Sequence, residues 1–514
     1  MLRNNNRLRK GLNLWAIYGI CLITSAIFFL LFGFNSPLYT YNSDHDYQWF
    51  MTMGNGLVHG KIPYRDLFEQ KGPIVYFVTA FCCLFQNPGI VMLIIEIFSM
   101  SLFFFFAYRI CRKRLNSFYS LLALPLLAFA VFTSWCRTRS GATVEEFMLP
   151  IYTYFLYCWL EFLLEKRQWN WLRSLCVGLC FGIMLWVKYT LFYFVLVPML
   201  IWFIISLRRR QYRALIMNIL CMIAGILLIS APVLAFYAVH NALDDLFYVY
   251  FYVNLTAYGT DKGLIILSSF GLFFCIGPAV LILILWGVIH FAIRYWHEKS
   301  GWLLLIAFLV NLLLLVYSSK QISYYYTGLF PYAILGATDI LNFFSKKLSI
   351  TRYQKWIYTA ITALCLLLAI PFSIYTYEWG RDKNNYIPLV IADVVKDYEE
   401  TNNTEATLFC YKIGDFGFYN VTNKVPNNYF FVQNVFNEKR FPEMFAAFND
   451  YISQQTSDFI ITNLYTWEQD VAKEGLLSQY YSPYTGDTAT STYHFRKVHY
   501  FYYLHFDFVL LIKK

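Results

Sequence analysis

The chain has 514 residues, of which 59% are hydrophobic and 14% charged, against ~25% charged in an average soluble domain. That composition excludes an ordinary soluble fold and indicates a polytopic α-helical membrane protein. The net charge of +10 does not call for nucleic acid: residues 377–514 hold 12 Lys+Arg and 17 Asp+Glu, so the basic excess lies in the membrane region, mostly in short loops, as the positive-inside rule describes.

The basic start (Arg3, Arg7, Arg9, Lys10) precedes an apolar run without a small-residue cleavage site, which reads as an uncleaved first span. Spans of the length a bilayer requires, ~20 residues, are expected near 12–34, 89–111, 116–133, 145–164, 172–187, 189–206, 215–239, 264–293, 301–318, 324–342 and 355–377, about 11 in all. The stretch 172–206 is almost continuous and is divided at Lys188, because its flanks (Lys166, Arg167, Arg173 and Arg208, Arg209, Arg210, Arg213) are both basic. A single crossing would put them on opposite faces. A 35-residue helix would also measure ~52 Å, too long for one ~30 Å hydrocarbon core. In this topology the N-terminus is cytoplasmic, and nine acidic residues (Asp44, Asp46, Asp66, Glu69, Glu145, Glu146, Asp244, Asp245, Asp261) lie at outward loops. Residues 1–376 form the membrane module. Residues 377–514 alternate helix-like runs (388–400, 441–455) with short apolar runs (406–411, 458–463, 508–514), the pattern of a small extracytoplasmic α/β domain.

The first outward loop, residues 35–88, carries Asp44, Asp46, Asp66 and Glu69 beside Arg65 and Lys71. Arg65 and Lys71 could hold an anionic lipid headgroup while a carboxylate accepts a proton. Alternatively, Asp44 and Asp46 could coordinate a divalent cation, magnesium or manganese. The bland alternative is a solvated connector, although the turn residues and paired charges of GKIPYRDLFEQKGP favour a defined shape. The apolar stretch 73–86 is too short to span and is expected at the interface or re-entering.

Four sets of residues stand out: Asp46, Gly60, Pro63-Tyr64-Arg65-Asp66 and Lys71-Gly72-Pro73 in the first loop; TVEEFMLP with Glu145 and Glu146; GLCFGIMLWVKY ending at Lys188; and YYYTGLFP, residues 324–331. Together they resemble bacterial GT-C glycosyltransferases similar to the dolichyl-phosphate-mannose protein mannosyltransferases. The resemblance implies a GT-C fold and a polyprenyl-phosphate-linked sugar donor. The acceptor would be an extracytoplasmic glycan, a teichoic-acid-like polymer, a lipid or a protein. It gives the first-loop Asp the part of general base, Asp46 by its distance from Gly60 or else Asp44, two positions away; alternatively, one of the two is the base and the other orients it. Lys71, Arg65 and Lys188 are the candidate phosphate ligands, Lys188 having snorkelling to the interface as its bland alternative. Glu145 and Glu146 either cap a helix by charge or serve the acceptor or a cation, with Asp66 and Glu69 in supporting parts. A cation would fall to Asp44, Asp46 and Glu145. Tyr64, Tyr324 and Tyr326 are candidates for contact with the donor lipid, membrane-belt residues being the alternative for the latter two.

The rival class is a transporter or flippase of lipid-linked sugars, which would place its site near the bilayer midplane. Glu96 is almost the only midspan carboxylate, so the enzyme is favoured. No HExxH or paired-histidine spacing occurs, and the 12 cysteines form no disulfide framework or CxxC site.

Overall fold

The computed structural model describes residues 13–514 apart from 40, 43, 137–140, 167, 257–262, 319–321, 349–352, 373–385, 434–435, 437, 485–491 and 500–501. The basic N-terminal residues and Asp261 lie outside the described residues. Each of the expected spans carries a helix. The first ten helices are α1 (Leu14–Phe32), α2 (His45–Val58), α3 (Pro73–Cys83), α4 (Pro88–Cys111), α5 (Ser117–Phe132), the short α6 (Val144–Phe147) running into α7 (Leu149–Leu164), then α8 (Trp171–Lys188), α9 (Tyr193–Arg208) and α10 (Tyr212–Val239). Helices Pro278–Arg294, Ser300–Ser318, Ala333–Lys347 and Gln354–Ala369 complete the bundle.

Two spans depart from single helices. The segment expected at 264–293 bends by 92° between Ser268–Phe274 and Pro278–Arg294. Gly277, at φ +117°, and the following proline end one helix and start the next. The segment expected at 324–342 begins as a 3-10 helix, Ser323–Tyr332, and becomes α-helical only after Pro331.

The apolar stretch 171–208 is helical nearly throughout, yet it crosses twice. Lys188 has an extended backbone (φ −168°, ψ 98°) followed by a 3-10 turn over Tyr189–Phe192. At one end of α8 the Trp169 carbonyl accepts a hydrogen bond from Asn218 at 3.1 Å, and near the other Trp186 Nε1 donates to Ser230 at 2.8 Å. α8 and α10 therefore run parallel. α9, which follows α8 in the chain, runs back the other way, stacking Trp202 on Trp169 at 5.0 Å. The parallel pair packs backbone to backbone: a Cβ at Gly178 would lie 2.1 Å from the Met222 carbonyl oxygen, and one at Gly225 2.5 Å from that of Leu175. Small residues let membrane helices approach this closely, and dispersion then holds them.

The expected first loop is largely helical. α2 and α3 pack against each other, and α3 starts with Pro73, whose missing N–H costs nothing at a first helical position. From Tyr386 onward the chain forms helices Ile387–Asn402 and Pro442–Ser453 around a sheet of β1 (Leu408–Cys410), β2 (Phe459–Asn463), β3 (Tyr481–Pro483), β4 (Thr492–His499) and β5 (Tyr502–Lys513). β1 pairs parallel with β2, β2 antiparallel with β5, and β3 and β4 both lie along the other edge of β5. The apolar runs expected at 406–411, 458–463 and 508–514 supply β1, β2 and the end of β5, whereas β3 and β4 go beyond them, Arg496 and Lys497 interrupting the apolar pattern of β4.

This tail rests on α2 and the turn after it. Thr52 donates to Asp415 at 2.8 Å, Asn420 to the Gln48 side chain at 2.6 Å, and Tyr429 to the Tyr64 carbonyl at 2.9 Å. Phe68 stacks on Phe441 with centroids 5.4 Å apart.

Gly178→Leu is expected to force α8 from α10 and lower the thermal unfolding midpoint in detergent, an overpacking cost of ~1–3 kcal/mol or more. Gly19→Leu, where a Cβ meets nothing within 4 Å, is the matched control and should leave the midpoint unchanged.

Candidate active site

The site forms where α2, the turn 59–72 and the end of α8 meet. Lys71-Gly72-Pro73 is the joint. The Gly72 N–H donates to the Val187 carbonyl at 3.0 Å, and a Cβ on Gly72 would lie 2.0 Å from the Trp186 carbonyl oxygen. Only glycine allows that approach, which sets Lys71 beside the chain that carries Lys188.

Asp46, in the first turn of α2, faces this joint. Its Oδ1 lies 3.9 Å from Lys71 Nζ, and its Oδ2 accepts a hydrogen bond from the Tyr324 hydroxyl at 2.8 Å. Burial pushes its pKa up, but the Lys71 charge, the Tyr324 hydrogen bond, Lys188 and His45 outweigh this and hold the carboxyl below the ordinary carboxylate range. Lys71 also lies 4.0 Å from the fully buried Glu69 and sits over the Phe50 ring at 5.5 Å. Lys188 donates to Glu145 Oε1 at 2.6 Å and caps the Tyr325 ring at 3.9 Å. Glu145 Oε2 is buried without a hydrogen-bond partner among the described residues. Lys71, Lys188, Asp46, Glu145 and Tyr324, from five separate stretches, thus share one partly closed space. Such a set can hold an anion against ammonium groups and accept a proton on Asp46.

The remaining sequence candidates fall elsewhere. Asp44 is the N-cap of α2, its Oδ1 accepting from the Tyr47 N–H at 3.1 Å. Asp44, Asp46 and Glu145 therefore do not offer converging oxygens to a cation: one caps a helix, and the other two face lysines. Among the described residues no three acidic, histidine or cysteine side chains converge. Arg65 is half-exposed and its guanidinium is engaged by Asp66 at 2.9 Å and by the His240 carbonyl at 2.9 Å. Asp66 also accepts from the Ile62 N–H at 2.7 Å, so this pair braces the turn and stands apart from the cluster. Glu146, buried, lies with Glu145 in the first turn of α6 behind the N-cap Thr143. The expected lipid contacts are protein contacts. Tyr64 and Tyr326 are fully buried with their hydroxyls on the carbonyls of Lys71 and Ser269, and Tyr324 turns to Asp46.

Beside the cluster lies an apolar groove of about 420 Å³ between α3, α4, α7 and α8. Phe50, beneath Lys71, lines it, as do Val144 and Val187, the sequence neighbours of Glu145 and Lys188. Glu96, buried in the unbroken α4, accepts a hydrogen bond from Asn35 at 3.0 Å, and Asn42 donates to Asn35 at 2.9 Å. Asn42 in turn receives the Asp44 N–H at 3.0 Å. The midspan carboxylate is thereby tied to the start of α2. Asp415, fully buried under the tail, has no sequence motif to announce it; burial raises its pKa to about 6 against the pull of Thr52 and the N–H groups of residues 417–419.

Residues 71–236 match the family described as dolichyl-phosphate-mannose-protein mannosyltransferase. Among solved structures, the chain is similar to ArnT from Cupriavidus metallidurans in the apo state, with a TM-score of 0.61 and 11% identity over 96% of this chain and 97% of that one. It also aligns with the oligosaccharyltransferase of Archaeoglobus fulgidus in the apo form, at a TM-score of 0.49 and 15% identity over 92% of this chain and 73% of that one. No curated protein matches the chain by sequence. The fold is of the GT-C type.

Because Asp415 binds its proton more tightly when docked than when exposed, docking is favoured at low pH and loses that advantage as pH rises from the ordinary value of 3.8 through about 6. The full swing is about 3 kcal/mol. Thermal unfolding between pH 5 and 8 should show a wild-type decline that Asp415→Asn flattens; parallel pH curves for the two proteins would refute this.

Proposed function

We propose that this glycosyltransferase takes its sugar from a polyprenyl-phosphate carrier and passes it to an acceptor hydroxyl on the extracytoplasmic side of the membrane. The observation that carries the reading is the placement of the Asp46, Lys71, Lys188 and Glu145 cluster at an apolar groove. A polyprenyl chain matches the groove, and its phosphate matches the two ammonium groups. The basic side chains between the spans, such as Arg109, Arg112, Lys113, Arg208 and Arg209, lie at the other ends of the helices, which under the positive-inside rule supports an outward-facing cluster.

In this reading the acceptor oxygen attacks the anomeric carbon. Its proton passes to the Asp46 carboxylate, while the bond from that carbon to the phosphate oxygen breaks and polyprenyl phosphate departs with the electron pair. Asp46 is ionised from the outset, and the hydroxyl grows acidic only as the new bond forms, so the base need not be strong. Lys71 and Lys188 meet the charge gathering on the leaving phosphate. Tyr324 fixes the orientation of Asp46, and Glu145 positions Lys188 while its second oxygen is free to receive a sugar hydroxyl. Arg65, Asp66, Glu69 and Glu146 shape the surrounding turns.

The test is transfer from a panel of radiolabelled polyprenyl-phosphate sugars by the purified chain in detergent. Asp46→Asn should lower kcat by about 10²–10⁴-fold, and Lys71→Met by about 10²–10³-fold. Asp44→Asn, which keeps a capping oxygen, should cost far less. Unchanged transfer by Asp46→Asn would end the mechanism. Since the Asp46 carboxyl is held below the ordinary range, kcat/KM should show no loss attributable to its protonation between pH 8 and 5.

A further inference from the structure

α2 has two different neighbours. Asp46 and Phe50 look toward the charged cluster and the groove. On the adjoining face Tyr47, Gln48, Met51 and Asn55 wall a separate cavity of about 680 Å³. Residues 34–37, 39, 41 and 42, the approach to α4 at 85–90, and Asn420, Val421 and Asn423 of the tail close it.

Its lining contains no Asp, Glu, Lys, Arg or His among the described residues, although the neighbouring cluster is made chiefly of charges. Carboxamides dominate instead. The inner ones are fixed by one another: Asn42 bonds Asn35, Asn35 bonds Glu96, and Asn420 bonds Gln48. Those nearer the opening, on Asn55, Gln86, Asn87 and Asn423, carry no hydrogen bond to another described residue. Tyr39, Tyr41 and Tyr47 add ring surface, Tyr41 being held by its hydrogen bond to the Phe416 carbonyl at 2.6 Å.

We propose that this cavity binds a neutral carbohydrate, the acceptor of the transfer described above, on which reading this assignment of acceptor rests. A carboxamide both donates and accepts, which matches sugar hydroxyls that do the same, and tyrosine faces suit the apolar face of a pyranose. A phosphate or carboxylate ligand would leave water with no counter-charge in the wall, at a desolvation cost nothing there offsets. The cavity wall begins at Tyr47, one residue beyond Asp46, so the cavity adjoins the first turn of the helix that carries the proposed base. Phe85 and Ile90 on the rim are exposed, giving the same glycan either a solvent entry or, when lipid-linked, an entry from the bilayer.

The test uses the purified full chain in detergent and saturation-transfer NMR with mannotetraose, galactotetraose, dodecyl-linked mannotetraose and a glycerol-phosphate trimer. At least one neutral probe should bind saturably, the glycerol-phosphate trimer should not, and Asn55→Leu/Asn423→Leu should weaken the neutral probe by about tenfold or more. Polyprenyl-phosphate mannose binding should be unchanged in that double variant. Gln86→Leu, on the exposed rim, repeats the measurement where the double variant does not fold. Tighter binding of the dodecyl-linked probe assigns a membrane-borne acceptor, and equal binding a soluble one. Failure of every neutral probe, indifference to the variants, preference for the trimer, or loss of donor binding in place of sugar binding would overturn the proposal. Sugar binding is read without donor, so a failure of Asp46 as base leaves this result standing, and the converse also holds.

Discussion

The hydrogen bond from Gly72 to Val187 is the contact on which the site depends. It joins a connector to the tip of a helix hairpin with no side chain between them, and so places lysines from distant stretches around one space. Each lysine then meets a buried carboxylate. Removing charges from water is costly, and a buried ion pair seldom repays that cost in stability. The arrangement makes better sense as charges held in readiness for a ligand than as a brace for the fold.

The same economy of backbone contact runs through the bundle. Gly178 and Gly225 let α8 and α10 touch main chain to main chain, which fixes where the turn at Lys188 stands relative to α10. The broken helix after Gly277 and the 3-10 segment ending at Pro331 act differently. They replace regular helix with short segments near the site, and it is the 3-10 segment that brings Tyr324 over Asp46 and Tyr325 under Lys188.

Much of this was legible in the sequence, and the reasons differ by element. The apolar segments and the division at Lys188 follow from hydropathy and basic flanks, both local properties. Lys71, Asp46, Glu145 and Lys188 stood out as charges in an apolar chain. The separation of Asp44 from Asp46 was hidden, because capping depends on where α2 begins. Arg65 and Asp66 have the charges of site residues but pair with each other, and Tyr64 and Tyr326 have the side chains of lipid contacts but are buried within the protein. Asp415, Asn420 and Gln48 gave no local signal at all. They meet across more than 360 residues of chain, and an uncharged cavity wall leaves no mark in a search for charge.

The docking of the tail on α2 has a consequence for how the protein can diverge. Every charged member of the cluster belongs to residues 46–188, whereas one wall of the neutral cavity is supplied by 420–423. Mutational drift in that short tail segment can therefore reshape the cavity while leaving the cluster's geometry inherited intact. A lineage could reshape the neutral cavity by editing a surface strip far downstream of the charged residues.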